Sequence, residues 1–248
     1  MRTIPGGFRR LASRLATAVC RGGMLLLCVA PAVAGVTRPN IVFLLADDLG
    51  WADLGCYGAS FHQTPHLDQL AREGMRFSDF YTAGSVCSPT RASIMTGKYP
   101  PRTGITDWIP GMKAGNRRLE QLHPAGQLAL EEVTLGEAFK AAGYQTFYTG
   151  KWHLGDAGFS PLEQGFDEYV GDADIGGSGG GGEKARKLKA RLESTARFTD
   201  ASLEFLDRHD PARPFLLFLA YHDVHTPIQP MPGLVEPYQV RAAALAGE

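Results

Sequence analysis

Four short stretches of this chain carry residue types that do chemistry. The first is Cys87-Ser88-Pro89-Thr90-Arg91-Ala92-Ser93-Ile94-Met95-Thr96-Gly97-Lys98. Pro89 suits a first helical turn, where no N–H is needed and φ is pre-set, and Gly97 suits a C-terminal cap. A helix here places Cys87 at the positive end of its dipole, where unpaired N–H groups favour anions. Residues four apart share a helix face, so Arg91 can reach back toward Cys87. The result is a reactive group beside a fixed cation at an anion-binding helix end. The bland alternative is a buried cysteine on an ordinary capped helix.

The second stretch is Asp47-Asp48, directly after an apolar run. A carboxylate pair is costly to bury unpaired, and adjacent carboxylates repel unless a cation sits between them. Oxygen donors suit Ca²⁺ or Mg²⁺ rather than zinc; alternatively, one Asp caps the following turn. The third is Gly150-Lys151-Trp152-His153-Leu154-Gly155. On an extended segment Lys151 and His153, two apart, point the same way; the other reading is a loop lysine and a core-edge histidine. The fourth is Tyr221-His222-Asp223-Val224-His225, with two candidate histidines. Asp53 and Asp68 read as surface or capping residues, and His62, His66, His123 and His209 receive no functional role.

The elements that must position these groups are legible. Asn40–Ala46 and Pro214–Ala220 are short apolar runs that read as buried strands, and Gln145–Thr149 reads as a third strand. Each ends at one of the polar stretches above, and ligands of open α/β sheets bind beyond the carboxyl ends of the strands. Thr64-Pro65 starts a helix through Glu73, with Thr64 as N-cap. Thr134 and Glu137 form a capping box for a helix ending at Gly143. Gly176–Gly182 reads as a loop or linker, Glu183–Arg208 as a charged helix, and Val240–Glu248 as an unfinished one. Strands alternating with helices predict an α/β fold with a mostly parallel sheet.

Cys87-x-Pro89-x-Arg91 followed by Met95-Thr96-Gly97-Lys98 closely resembles the signature of type I sulfatases, and Gly150–Gly155 resembles a second motif of that family residue by residue. The resemblance implies an alkaline-phosphatase-like fold, a mixed, mostly parallel sheet flanked by helices. It implies that Cys87 is oxidised to Cα-formylglycine by a formylglycine-generating or maturation enzyme. The hydrated aldehyde is then the nucleophile toward a sulfate ester. Asp47, Asp48 and residue 87 would hold Ca²⁺, Arg91 and Lys151 the sulfate oxygens, and His153 would contact the hydrate. His225-Thr226-Pro227 resembles the family's later histidine, which contacts sulfate and protonates the leaving alcohol; the Thr-Pro favours His225 over His222. The family completes its metal site with a later Asp-Asn pair and adds a further lysine, neither of which this sequence contains. The expectation is therefore a sulfatase catalytic domain over 35–248, truncated at its C-terminus, with a sheet lacking later strands. Two other readings stay open: a phosphoester or phosphonate hydrolase of the same superfamily, and an inactive remnant or glycan-binding fragment.

Bulk properties fit an exported protein. The 248 residues are 44% hydrophobic and 21% charged, with a formal charge of −1 that argues against nucleic acid as a partner. Residues 1–34 read as a signal peptide: Arg2, Arg9, Arg10, Arg14 and Arg21 precede the apolar run Met24–Ala30 and the cleavage-like Ala32-Val33-Ala34. Taking those five arginines from 25 basic residues leaves 20 against 26 acidic ones, about −6. The apolar run is too short for a stable membrane span, so a periplasmic or secreted location is expected. Arg9-Arg10 keeps twin-arginine export open, and Cys28 keeps lipidation open. With Cys20 and Cys28 in the signal, Cys56 and Cys87 remain: they form one disulfide, or Cys87 becomes an aldehyde and none exists. The substrate is expected to be a sulfate ester; a sulfated polysaccharide follows only from the export signal.

Overall fold

Three apolar runs become the strands that carry the polar stretches. A computed structural model describes residues 38–111, 125–171, 183–228, 230–231 and 233–247; for 183–192 it gives the helical backbone alone. The expected signal segment, His123 and the run Gly176–Gly182 lie outside the described residues. From Pro39 onward the chain forms one unit.

In chain order the elements are β1 (Ile41–Leu45), a single 3₁₀ turn (Gly55–Tyr57), α1 (Pro65–Glu73), α2 (Cys87–Thr96), α3 (Pro100–Thr103) and α4 (Leu135–Ala141). Then come β2 (Gln145–Gly150), β3 (Glu168–Val170), α5 (Glu183–Arg208), β4 (Phe215–Ala220) and α6 (Val235–Leu245). The strands form one sheet in the order β1-β4-β2-β3. All its pairings are parallel, which requires helical crossovers. Among the described residues, then, the expected mixture of strand directions resolves to a purely parallel sheet.

Period-2 alternation assigns each strand residue to a face. On one face Ile41, Phe43, Leu45, Tyr148, Tyr169, Leu216, Phe218 and Ala220 pack with Ala92 and Met95 of α2 and with Leu135 and Phe139 of α4. Phe43, Phe218 and Tyr148 are register partners, and their rings stack across the sheet at 4.5 and 4.9 Å. Each fully buried ring of this kind contributes roughly 1.5–3 kcal/mol. On the other face Phe147, Phe215 and Leu217 pack with Ala201, Phe205 and Leu206 of α5.

The second face explains one departure from expectation. β1 is not buried on both sides: Val42 and Leu44 are 50% and 51% exposed. β1 lies at the sheet edge, and α5 covers β2 and β4 but does not reach it. Its unbroken apolar sequence therefore does not report burial of both faces. Local signals elsewhere take physical form. Both halves of the capping box exist, with Glu137 N–H donating to Thr134 Oγ1 at 3.2 Å and Thr134 N–H to Glu137 Oε2 at 2.8 Å. Thr64 stands at its expected N-cap position, but its hydroxyl donates to the Asp68 carboxylate instead of capping. α6 starts at Val235, five residues before the expected Val240, because Pro237 is tolerated in a first turn.

Candidate active site

α2 begins at Cys87 as expected. Val86 is the extended N-cap, and Gly97 caps the other end at φ 67°, its N–H on Ser93 O. No side chain caps the N-terminus, so the positive end of the helix lies beside residue 87. Beyond the sheet the strand ladder continues into the polar stretches. Tyr221 N–H donates to Leu45 O, Lys151 N–H to Ala220 O, and Asp47 N–H to Asp223 O, at 2.8, 2.9 and 3.0 Å. Val224 N–H returns a bond to Asp47 O at 2.8 Å. Asp47 is thus fixed by its backbone against the end of β4.

The side chains of Asp47, Arg91 and Lys151 meet in the interior, each less than a tenth exposed. Lys151 Nζ donates to Asp47 Oδ2, and Arg91 Nη2 lies 3.4 Å from Asp47 Oδ1. Arg91 Nη1 donates to Lys151 O at 2.5 Å, and Tyr148 Oη donates to the same carbonyl at 2.6 Å. Arg91 therefore reaches toward Asp47 and the Lys151 peptide, where the helical spacing alone had suggested Cys87. Its Nε and Nη2 hydrogens have no hydrogen-bond acceptor among the described residues. Burial pushes the Asp47 carboxyl up, but the Lys151 hydrogen bond and the charges of Arg91, Lys151 and His225 outweigh it and hold it below the usual range. Two buried cations against one buried carboxylate leave an excess of positive charge, the condition for holding an anion.

Cys87 is half-buried, with Sγ 3.1 Å from His153 Nδ1. Burial pushes its thiol up; the His153 hydrogen bond and the charges of Lys151 and His153 outweigh that and lower it, against an opposing contribution from Asp47. The other ring nitrogen, His153 Nε2, lies 2.6 Å from Ile109 O. The segment after β2 is not extended through His153, whose φ is 58°. Lys151 and His153 both turn to the site, but a left-handed residue brings them there, not strand alternation. Gly150 makes the approach possible: at φ 103°, a Cβ there would sit 1.8 Å from Ala220 O.

His225 stands at the rim with Nε2 3.6 Å from Asp48 Oδ2 and Nδ1 2.6 Å from Thr226 O. His222, three residues earlier, lies beside the Phe198 ring. Asp48 is exposed and sits at φ 61°. Cys56 and Cys87 are both free thiols. Asp53 and Asp68 accept backbone N–H groups of Gly50 and Cys56, and His209 packs its ring on Phe215; these are local structural roles. The structure adds two groups that the sequence reading did not single out, the Ser88 hydroxyl and the Ile109 carbonyl. A main-chain acceptor such as the Ile109 carbonyl has no residue-type signal.

Two adjacent carboxylates supply part of the six to eight oxygens that Ca²⁺ takes. Here Asp47 is bonded to Lys151 and paired with Arg91, and Asp48 faces His225. Among the described residues no group of three or more acidic, histidine or cysteine side chains is placed to hold a metal ion. The described residues alone do not make a calcium cage.

The sulfatase family model matches residues 39–245. Human arylsulfatase A is 47% identical over 150 residues, covering 59% of this chain and 28% of the relative. Arylsulfatase G of Rattus norvegicus is 34% identical over 262 residues, covering 88% of this chain and 48% of the relative. The chain thus spans less than half the length of these relatives. A solved structure of BT4656 in complex with its substrate D-glucosamine-2-N,6-O-disulfate superposes with a TM-score of 0.62 at 27% identity, covering 82% of this chain and 38% of that one. The fold is the alkaline-phosphatase-like α/β fold of those neighbours, a parallel sheet flanked by helices. Family match and site geometry lead to one conclusion: the chain belongs to the sulfatase family and corresponds to the N-terminal portion of its members.

Proposed function

We propose that the protein hydrolyses sulfate esters at the site formed by Cys87, Arg91, Lys151, His153 and His225. One observation carries the reading. A reactive side chain at the N-terminus of α2 stands beside a buried cluster in which Arg91 and Lys151 outnumber Asp47, and in which Arg91 Nε and Nη2 have no hydrogen-bond acceptor among the described residues. That cluster suits a tetrahedral sulfate ester anion and the negative charge that develops on oxygen as its S–O bond breaks.

The nucleophile is proposed to be formylglycine at position 87, made from Cys87 by a maturation enzyme. Such an aldehyde, when hydrated, supplies an oxygen nucleophile for sulfur and a second hydroxyl that allows sulfate to be expelled. This chain's own residues do the rest. Arg91 and Lys151 bind and orient the sulfate oxygens, and their burial excludes competing water. His153 presents Nδ1 to residue 87 and takes a proton there. His225 donates a proton to the leaving oxygen from Nε2, since Nδ1 is engaged by the Thr226 carbonyl. Asp47 and Asp48 are the donors proposed for Ca²⁺, together with oxygens that the described residues do not supply.

A sulfated saccharide is the proposed substrate class, supported by the disulfated sugar bound in the BT4656 structure. Export by the segment 1–34 is proposed with it; among the described residues no helix is long and apolar enough to cross a membrane. The test is hydrolysis of a chromogenic aryl sulfate with Ca²⁺ present, by protein from a host able to form formylglycine. Turnover is expected, lost in Cys87→Ala and reduced about 10²–10³-fold in Lys151→Ala. Absence of turnover with an aldehyde confirmed at position 87 rejects the activity for this chain.

A further inference from the structure

His153 is held at both ring nitrogens, at one by Cys87 of α2 and at the other by the Ile109 carbonyl, whose own residue is held by the next residue of α2. Cys87 Sγ is 3.1 Å from Nδ1, and Ile109 O is 2.6 Å from Nε2. A carbonyl only accepts, so Nε2 carries the proton, and in the neutral ring the Nδ1 lone pair faces residue 87. The Ile109 carbonyl is itself placed from behind: Ile109 N–H donates to Ser88 Oγ at 3.0 Å. Ser88 is fully buried and follows Cys87 directly on α2. His153 needs such support, because its φ of 58° lies in the left-handed region that residues other than glycine seldom occupy.

We infer that Ser88 is a positioning residue of this site, holding Ile109 by its backbone N–H so that the carbonyl of the same residue fixes His153 as the Nε2–H tautomer with Nδ1 turned to residue 87. Consecutive residues of α2 then set both partners of the proton transfer: residue 87 is one, and Ser88 orients the other through Ile109. The logic matches that of a histidine whose second nitrogen is fixed by an outer partner, where losing the partner leaves the ring present but wrongly presented. The inference rests on the reading that His153 serves residue 87 in sulfate ester hydrolysis, but its test needs no turnover.

The experiment is ring ¹⁵N NMR of the full chain labelled with [¹⁵N]histidine at about pH 8, above the ordinary imidazole range. His153→Gln identifies the His153 signals. The wild type is expected to show His153 as the Nε2–H tautomer. Ser88→Ala is expected to populate the other tautomer, and Ser88→Thr, which keeps the hydroxyl, to restore the wild-type pattern. In protein that turns over, Ser88→Ala is expected to lower kcat on the order of tenfold with KM little changed. A thermal unfolding scan of each variant establishes that it is folded. A folded Ser88→Ala with the wild-type tautomer overturns the inference. So does an Nδ1–H tautomer in the wild type, which decides the matter even where Ser88→Ala does not fold. A chain with no sulfatase activity but the expected tautomer response leaves the positioning role standing and rejects only the activity.

Discussion

Asp47 carries the largest consequences of any single side chain, because it is a buried anion facing two buried cations. Replacing it with Asn keeps the shape but leaves Lys151 and Arg91 charged and short of a counter-ion. Removing one partner of a buried ion pair costs about 3–5 kcal/mol; urea unfolding of Asp47→Asn is expected to show a loss of that order, whereas Asp48→Asn, at an exposed position, is expected to cost well under 1 kcal/mol. The pH dependence has a definite sign. The folded-state pKa of Asp47 lies below its ordinary value, so its contribution is complete above the unfolded value of about 3.9. That contribution is lost as pH falls through the depressed folded value. Stability measured from pH 6 downward should therefore fall below about pH 4 more steeply in the wild type than in Asp47→Asn. A variant as stable as the wild type at neutral pH would show that the two cations find other partners. At this scale the sequence was informative about residue types and silent about pairing. Asp47 after a strand and Lys151 after another announce a polar site, but no spacing says that they bond to each other across 104 residues of chain. Main-chain groups such as the Ile109 carbonyl leave no mark in the sequence at all.

Between residue and fold, the elements deliver the site through a few tight backbone positions. Gly150 ends β2 at φ 103°, and a Cβ there would collide with the backbone of Ala220 in β4. Neither strand can yield without breaking the ladder that places Lys151 and Asp47. Gly158 has a similar φ of 86° but open space around it. Ala at position 158 therefore meets only the left-handed penalty, about 1–2 kcal/mol. Ala at position 150 meets that penalty together with a steric clash, so Gly150→Ala is expected to cost more than about 4 kcal/mol, in the range that marks a specific structural lesion. Chemical denaturation of the two variants side by side separates the cases, and equal losses would show that the β2–β4 contact relaxes freely. Elements with strong local chemistry were legible from sequence: the Thr134–Glu137 box, Pro89 and Gly97 around α2, and the apolar runs of β2 and β4. β3 was not, since three residues, paired to Phe147–Thr149, are too few to carry a periodicity of their own. α3, four residues beginning Pro-Pro, is likewise too short to declare itself.

At the scale of the whole molecule, the two faces of the sheet are unequally covered. One face is closed over all four strands by side chains from α2, α4 and the loops between them. The other is closed by α5 over β2 and β4 but leaves Val42 and Leu44 of β1 half exposed. β1 is also an edge in the described sheet, so unpaired backbone groups accompany the apolar side chains. Sheet edges that remain monomeric are commonly protected by charges, especially lysine, and β1 (IVFLL) has none. Parallel pairing hides this from the sequence, because a strand buried on both faces and an edge strand buried on one can share the same unbroken apolar run. The 248-residue chain on its own is therefore expected to self-associate through this surface. Sedimentation velocity over a concentration series should show oligomers growing with concentration. The pair Val42→Lys and Leu44→Lys should shift the chain to monomer while leaving far-ultraviolet circular dichroism unchanged, since both side chains point away from the Phe43–Phe218–Tyr148 stack. A wild-type chain that stays monomeric at the highest concentrations would mean that the exposed face is covered within one molecule. Continued association of the lysine pair would instead place the sticky surface elsewhere, with the exposed Phe77, Phe80 and Tyr81 segment as the next to substitute.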